Sequence, residues 1–296
     1  MGVLLGLAAA ALYGTTDFAG GLLSRRSGSA SAVVVAGSLA STALVWILIA
    51  VVGGQPPGPR VIVYGLAAGL ASGVGSIALY RGLARGRMSV VGPVSAVGAA
   101  VLPVIAGVAS GERPNPVALI GVLAALPAIA LVAGAGTGAG SSDAAPADND
   151  SRTSTRQGSR TSSGLTDGLI AGAAFGVMFV ALARTGGQTG LWPLAFEQTG
   201  ALAMVLAMAA ATHASLRQSL RGTAASALDG IGGLAATLLY YLATHAGMLS
   251  TVAVLTSLYP GITVLLAYVI VRERISPAQR TGLGLCALAV AAIAVG

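Results

Sequence analysis

Ten apolar runs of about twenty residues, separated by short polar gaps, constrain this chain more than any other feature. They are 2–23, 31–52, 61–83, 89–109, 116–135, 165–183, 191–211, 225–246, 250–271 and 279–296. A helix rising 1.5 Å per residue needs about 20 apolar residues to cross roughly 30 Å of hydrocarbon. A spanning segment must also satisfy its own backbone hydrogen bonds, so each run predicts a transmembrane helix and the chain an all-α integral membrane protein. Composition agrees: 8% of residues are charged, against about 25% in a soluble domain. All 16 basic residues are Arg, and most lie in the gaps. The net charge of +7 would suit nucleic acid only if gathered on one face; spread along the chain, it suits loops lying against anionic lipid. Cys286 is alone, which excludes an intrachain disulfide, and its apolar setting predicts an inert thiol. The first run lacks a basic leader and continues into further runs, so it reads as a span rather than a signal peptide.

The gap between the fifth and sixth runs, 136–164, is rich in Gly, Ser, Thr and Asp and reads as a flexible linker between two units, 1–135 and 165–296. The units are related. A shift of 161 positions places Tyr80 on Tyr241, Gly86 on Gly247, Ser89 on Ser250, Glu112 on Glu273, Arg113 on Arg274 and Gly121 on Gly282. A shift of 162 places Gly6 on Gly168, Ala10 on Gly172, Tyr13 on Phe175 and Gly14 on Gly176. A five-helix unit copied once has an odd number of spans, so the copies are expected in opposite orientations. Inverted repeats are characteristic of secondary transporters, which bind solute between the halves near the bilayer midplane.

Arginine placement predicts topology. Counting Arg81 and Arg280, just inside the adjoining runs, the odd-numbered connections hold 2, 3, 3, 2 and 3 Arg and the even-numbered ones 1, 1, 1 and 0. By the positive-inside rule the odd connections are cytoplasmic and both termini lie outside, in a multi-pass protein of the plasma or inner membrane. Small residues at fourfold spacing (Gly65, Gly69, Gly73; Gly168, Gly172, Gly176; Gly2, Gly6, Ala10, Gly14) predict close helix packing inside the bundle, with a homodimer contact as the lesser alternative. Pro93, Pro103, Pro127 and Pro260 interrupt spans four, five and nine, and each is expected to kink its helix by removing a backbone donor.

The stretch TSLYPGITVLLAYVIVRERISPAQRTGLGLCALAVAAIAVG (256–296) and its partner SAVGAAVLPVIAGVASGERPNPVALIGVLAALPAIAL (95–131) resemble the signature end of EamA-type repeats of the drug/metabolite transporter superfamily. That signature is a proline-bearing helix, a Gly-Glu or Arg-Glu pair, a short turn and a Gly-containing last helix. Pro260, Glu273 and Gly282 match it, as do Glu112 and Gly121; Ala99 stands where the first copy would carry the proline, with Pro103 one turn later. The opening LYGTTDFAGG is similar to the first helix of this family. The resemblance implies two inverted five-helix repeats and export of small solutes. It also implies termini inside, opposite to the arginines, which are followed here.

The spans hold two acids far from a helix end, Asp17 and Glu197. A carboxylate in hydrocarbon is costly unless it is paired, protonated or used. Neither has an Arg within its own run, and both are candidates for proton exchange. Asp229, Glu112 and Glu273 lie near helix ends and read as solvated or Arg-paired. Tyr13, Tyr80, Tyr241 and Tyr259 are candidates for lining a cavity with rings and hydroxyls, which suits amphipathic or cationic solutes. His245 reads as an interfacial tip before a proton relay. There is no P-loop motif and no Lys to complete one, so ATP is not the driver. His and Cys lack metal-ligand spacing. GVGS at 73–76 and the contexts of Asp17 and Asp229 do not match intramembrane serine or aspartyl proteases. The chain therefore reads as a proton-coupled exporter of small organic solutes without cofactors. Uptake of a sugar-like metabolite is the alternative, and a lipid scaffold or flippase the reading from another class.

Overall fold

The structure is a computed structural model that describes the chain except residues 55, 86, 87, 114, 118, 122, 125, 126, 129, 130, 132–150, 187–189, 272–276 and 296. Glu273 and much of the fifth run lie outside the described residues. The described elements are helices: α1 (Gly2–Ser27), α2 (Ala30–Val52), α3 (Pro59–Arg85), α4 (Met88–Ala109), α5 (Ser151–Ala183), α6 (Trp192–Ala211), α7 (Leu220–Ala246), α8 (Leu249–Thr256), α9 (Tyr259–Leu266) and α10 (Pro277–Val295). A π-helical turn, Ala267–Val271, follows α9. Among the described residues, 7 stretches are long and apolar enough to cross a membrane, the seventh being Leu249–Ile270, which contains α8, α9 and most of the π turn. Val94–Ala109 in α4 is a shorter apolar helix, and the described positions between 116 and 131 are helical.

Two boundaries differ from those expected. Helix α5 begins at Ser151, inside the segment read as a linker. No proline occurs between 151 and 165, so once the apolar part of the helix has formed, each further residue adds a backbone bond without a new nucleus. Span nine is not one kinked helix. It stops at Thr256 and restarts at Tyr259, with Pro260 in the first turn of the new helix, a position where a missing backbone N–H costs nothing. Helix α4, by contrast, runs unbroken through Pro93 and Pro103.

The packing repeats itself between the halves. Helix α3 lies on α6 and α5, and α2 and α1 both lie on α7; α4 lies on α5, and α1 on α8 and α9. Each pairing of the first half with the second has its mirror under the sequence repeat, and glycines make the closest crossings. A Cβ on Gly37 of α2 would stand 3.2 Å from the Cα of Gly230 in α7, and one on Gly200 of α6 would stand 3.2 Å from the Cα of Gly69 in α3. Only residues without side chains allow backbones this close.

One end of the bundle is tied across the halves. Glu112, after α4, accepts the backbone N–H groups of Leu249 (2.7 Å) and Ser250 (3.0 Å) and the Ser250 hydroxyl (2.7 Å). It thus caps the positive end of α8 rather than pairing with an Arg. At the same end Arg184 donates to the Ser110 hydroxyl, and Arg60 donates to the Arg184 carbonyl. Trp46, Trp192 and Phe196 cluster there with centroids 5.8 to 6.2 Å apart. At the other end, Arg81 of α3 forms an ion pair with Asp167 of α5.

Candidate functional site

A cavity lies between the two halves, walled by α1, α2 and α3 of the first and α5, α6, α7 and α9 of the second. Its lining on α2 runs from Val33 to Ser41, in the first half of that helix, and on α3 from Ser72 to Tyr80, in the second half. On these two helices the lining lies toward the end where α1 joins α2 and α3 joins α4, whereas on α1, α5, α6, α7 and α9 it lies near the middle of each span. The cavity's volume is about 110 Å³, room for several waters or a small solute.

Asp17 lines this space. The neighbouring turn of α1 is held by Thr16, whose hydroxyl donates to the Leu12 and Tyr13 carbonyls at 3.1 and 3.0 Å, leaving the Asp17 carboxylate to the cavity. Among the described residues Asp17 makes no hydrogen bond or ion pair. Asp229 of α7, the helix packed against α1, lines the same space and is nine-tenths buried. Its Oδ2 accepts the Tyr80 hydroxyl at 2.8 Å, and its Oδ1 is buried without a partner. Asp229 was read from sequence as a helix-end residue. Helix α7 begins at Leu220, earlier than the apolar run, and so carries Asp229 two turns into the bundle.

The tyrosines divide. Tyr13, Tyr80 and Tyr259 line the cavity; Tyr241 and His245 do not. Tyr13 shares a hydrogen bond with Thr237 (2.8 Å) and Tyr259 one with Ser95 (2.6 Å). The rings of Tyr259, Tyr13, Phe179 and Tyr240 follow one another at 6.5, 6.1 and 4.3 Å, a chain of aromatic contacts crossing the bundle. Tyr241 instead donates to the Gly186 carbonyl, and the exposed His245 ring bonds the Tyr241 carbonyl and meets its ring edge-on. Glu197 is 1% exposed and stands behind the wall, beside Ser72 and Gln198, with Oε2 unpartnered. Gln198 in turn accepts the Ser41 hydroxyl at 2.6 Å, and Ser41, Ser72 and Gln198 all line the cavity. Glu197 thus meets the cavity through one layer of polar groups. Pro103 and Pro260 are buried in the bundle and outside the lining, and of Pro93 only the backbone is described. Phe175, Phe179 and Met178 complete the apolar wall; nothing in their apolar run distinguishes them from packing residues. Among the described residues no group of acids, His and Cys is placed to hold a metal ion.

The EamA-like transporter family matches residues 1–134 and again 162–295. A solved structure titled only as the crystal structure of a protein superposes with a TM-score of 0.72 over 99% of this chain and 98% of its own, at 19% identity, a likeness of fold. None of the curated proteins compared with the chain matches it.

Proposed function

This chain belongs to the EamA-like transporter family, and on that premise we propose that it is a secondary transporter that exports small organic solutes in exchange for protons. Its two five-helix repeats, ten spans in all, alternate access to the central cavity. The observation that carries this reading is the pair of carboxylates, Asp17 and Asp229, lining a cavity between the halves with no basic side chain in its wall among the described residues. Such groups exchange protons with water when the cavity is open and hold them when it is closed, which is what coupling needs. Export is the direction expected from the sequence; the lining on α2 and α3 lies toward the arginine-bearing connections, the cytoplasmic side by the positive-inside rule. Solute would enter from there while the Glu112 end stays tied. Glu197 serves as a reserve proton site behind Ser72 and Gln198.

The test uses proteoliposomes with an imposed pH gradient and a panel of amines, carboxylic acids and neutral hydroxy compounds. At least one class is expected to evoke proton movement. Asp17→Asn, at normal expression and monodispersity, is expected to abolish that movement and flatten the pH dependence of transport, and Glu197→Gln to do so less completely. Unchanged coupling in Asp17→Asn would make the carboxylate structural. Transport of the hydroxy compounds alone, without proton movement, would favour facilitated passage of a sugar-like metabolite.

A further inference from the structure

The cavity wall is one-sided in charge. It contains two carboxylates and neither Arg nor His, and the chain has no Lys. Arg81, next in sequence to Tyr80 of the wall, is committed to Asp167. Both wall acids keep unused acceptors. Asp229 offers a buried Oδ1 that no donor reaches, and Asp17 projects into the same space. An unmatched buried acceptor is unfavourable until something donates to it, and no residue of the wall is placed to do so. In the same wall Tyr13, Phe175 and Phe179 supply rings, whose faces attract cations and whose bodies suit an apolar solute.

We infer that the solute is a compact protonated amine, its N–H donors shared by Asp17 and Asp229 and its apolar body against Tyr13, Phe175 and Phe179. This rests on the cavity being the transporter's solute site. An inorganic cation would satisfy the carboxylates but leave the apolar part of the wall unused, and the volume of about 110 Å³ suits a small amine. The titratable groups facing the pair are Tyr13 of α1, Tyr80 of α3 and Tyr259 of α9, with Glu197 of α6 one layer behind; α2 and α5 contribute none to the wall. Entry of one positive charge displaces one proton from a carboxyl group that held it. An O–H bond breaks at Asp17 or Asp229, the proton leaves to water, and the freed oxygen accepts the ammonium N–H.

The experiment is calorimetric titration of the purified full-length protein with 2-phenylethylamine, 2-phenylethanol and phenylacetate, in parallel with pH recording in weak buffer. The amine is expected to bind with release of about one proton per molecule, the alcohol at least about tenfold more weakly, and the acid not at all. Asp17→Asn and Asp229→Asn are each expected to weaken amine binding at least about tenfold, while Asp229→Glu, which restores the charge, regains part of it and so separates charge from misfolding. The inference is overturned if the alcohol or acid binds as tightly as the amine, if none of the three binds, or if sodium or magnesium displaces the amine stoichiometrically. Transport is read separately in proteoliposomes. Amine binding without flux would remove the transport function and leave the ligand class standing, whereas proton-coupled flux of neutral or acidic solutes only would do the reverse.

Discussion

Duplication supplies this protein's scaffold, and its chemistry lies where the copies differ. Under the repeat, Asp17 corresponds to Phe179 and Asp229 to Ala68, so each wall acid faces a cavity whose other half has no acid to match. Tyr80 and Tyr241 are the same residue at equivalent positions, yet one donates to Asp229 in the cavity and the other to the Gly186 carbonyl at the tied end. Tyr80→Phe removes the donor that Asp229 has in this structure. A hydrogen bond to a charged group contributes about 1.5–3 kcal/mol, so amine binding is expected to weaken about tenfold or more in the same calorimetric titration. Tyr241→Phe is expected to leave it within about twofold. Equal effects from the two would detach Tyr80 from the site. Sequence alone singled out Asp17 because a lone carboxylate in an apolar run is conspicuous. It passed over Asp229 because a residue's depth depends on where its helix starts, and polar first turns such as LRGT at 220–223 carry no apolar signal.

Among the elements, the glycine spacing announced close packing but not its partners. A fourfold stripe fixes one face of one helix; which helix fills it is decided by the assembled bundle. Gly230 and Gly233 of α7 lie one turn apart and separate these effects. A Cβ on Gly230 would meet the backbone of Gly37, whereas one on Gly233 meets nothing within 4 Å. Gly230→Ala is expected to destabilise by about 1–3 kcal/mol, the range for overpacking, seen as a lower midpoint in a thermal unfolding scan in detergent. Gly233→Ala, whose methyl enters the cavity, is expected to leave that midpoint unchanged. A midpoint lowered equally by both would mean that the α2–α7 crossing does not limit stability. The proline signals had mixed outcomes. Pro260 marks a true interruption because the chain turns at Ser257 and Leu258 just before it. Pro103 lies inside an unbroken α4, since a proline removes one backbone bond and neighbouring helices decide whether the helix parts there.

At the scale of the molecule, both ends of the bundle carry bonds between the halves, the Arg81–Asp167 ion pair at one and the Glu112 cap at the other. The Glu112 cap, the Arg184 bond to Ser110 and the tryptophan cluster join elements from both halves, and a transporter of this design must release them to open that side. Which side that is follows from topology. The arginine distribution predicts that the C-terminus lies outside, so a reporter active only in the periplasm or extracellular space and fused after Gly296 is expected to be active. A reporter active only in the cytoplasm, fused at the same point, is expected to be silent. The opposite pair of results would reverse the membrane sides assigned to the Glu112 end and the Arg81–Asp167 end.

Lipid is a simple solvent, and what it demands can be read from sequence. Apolar length sets the membrane class, the self-similarity of two stretches implies the two-repeat plan, and one isolated carboxylate marks a cost that function must justify. Helix rotation cannot be read this way, because helices apolar all round carry no moment to orient them. Only the packed bundle separated Tyr80 from Tyr241, withdrew Glu197 behind the wall and brought Asp229 into the same cavity as Asp17. Those outcomes depend on which backbones approach closely enough to exclude side chains, a property of pairs of helices that no single run of residues contains.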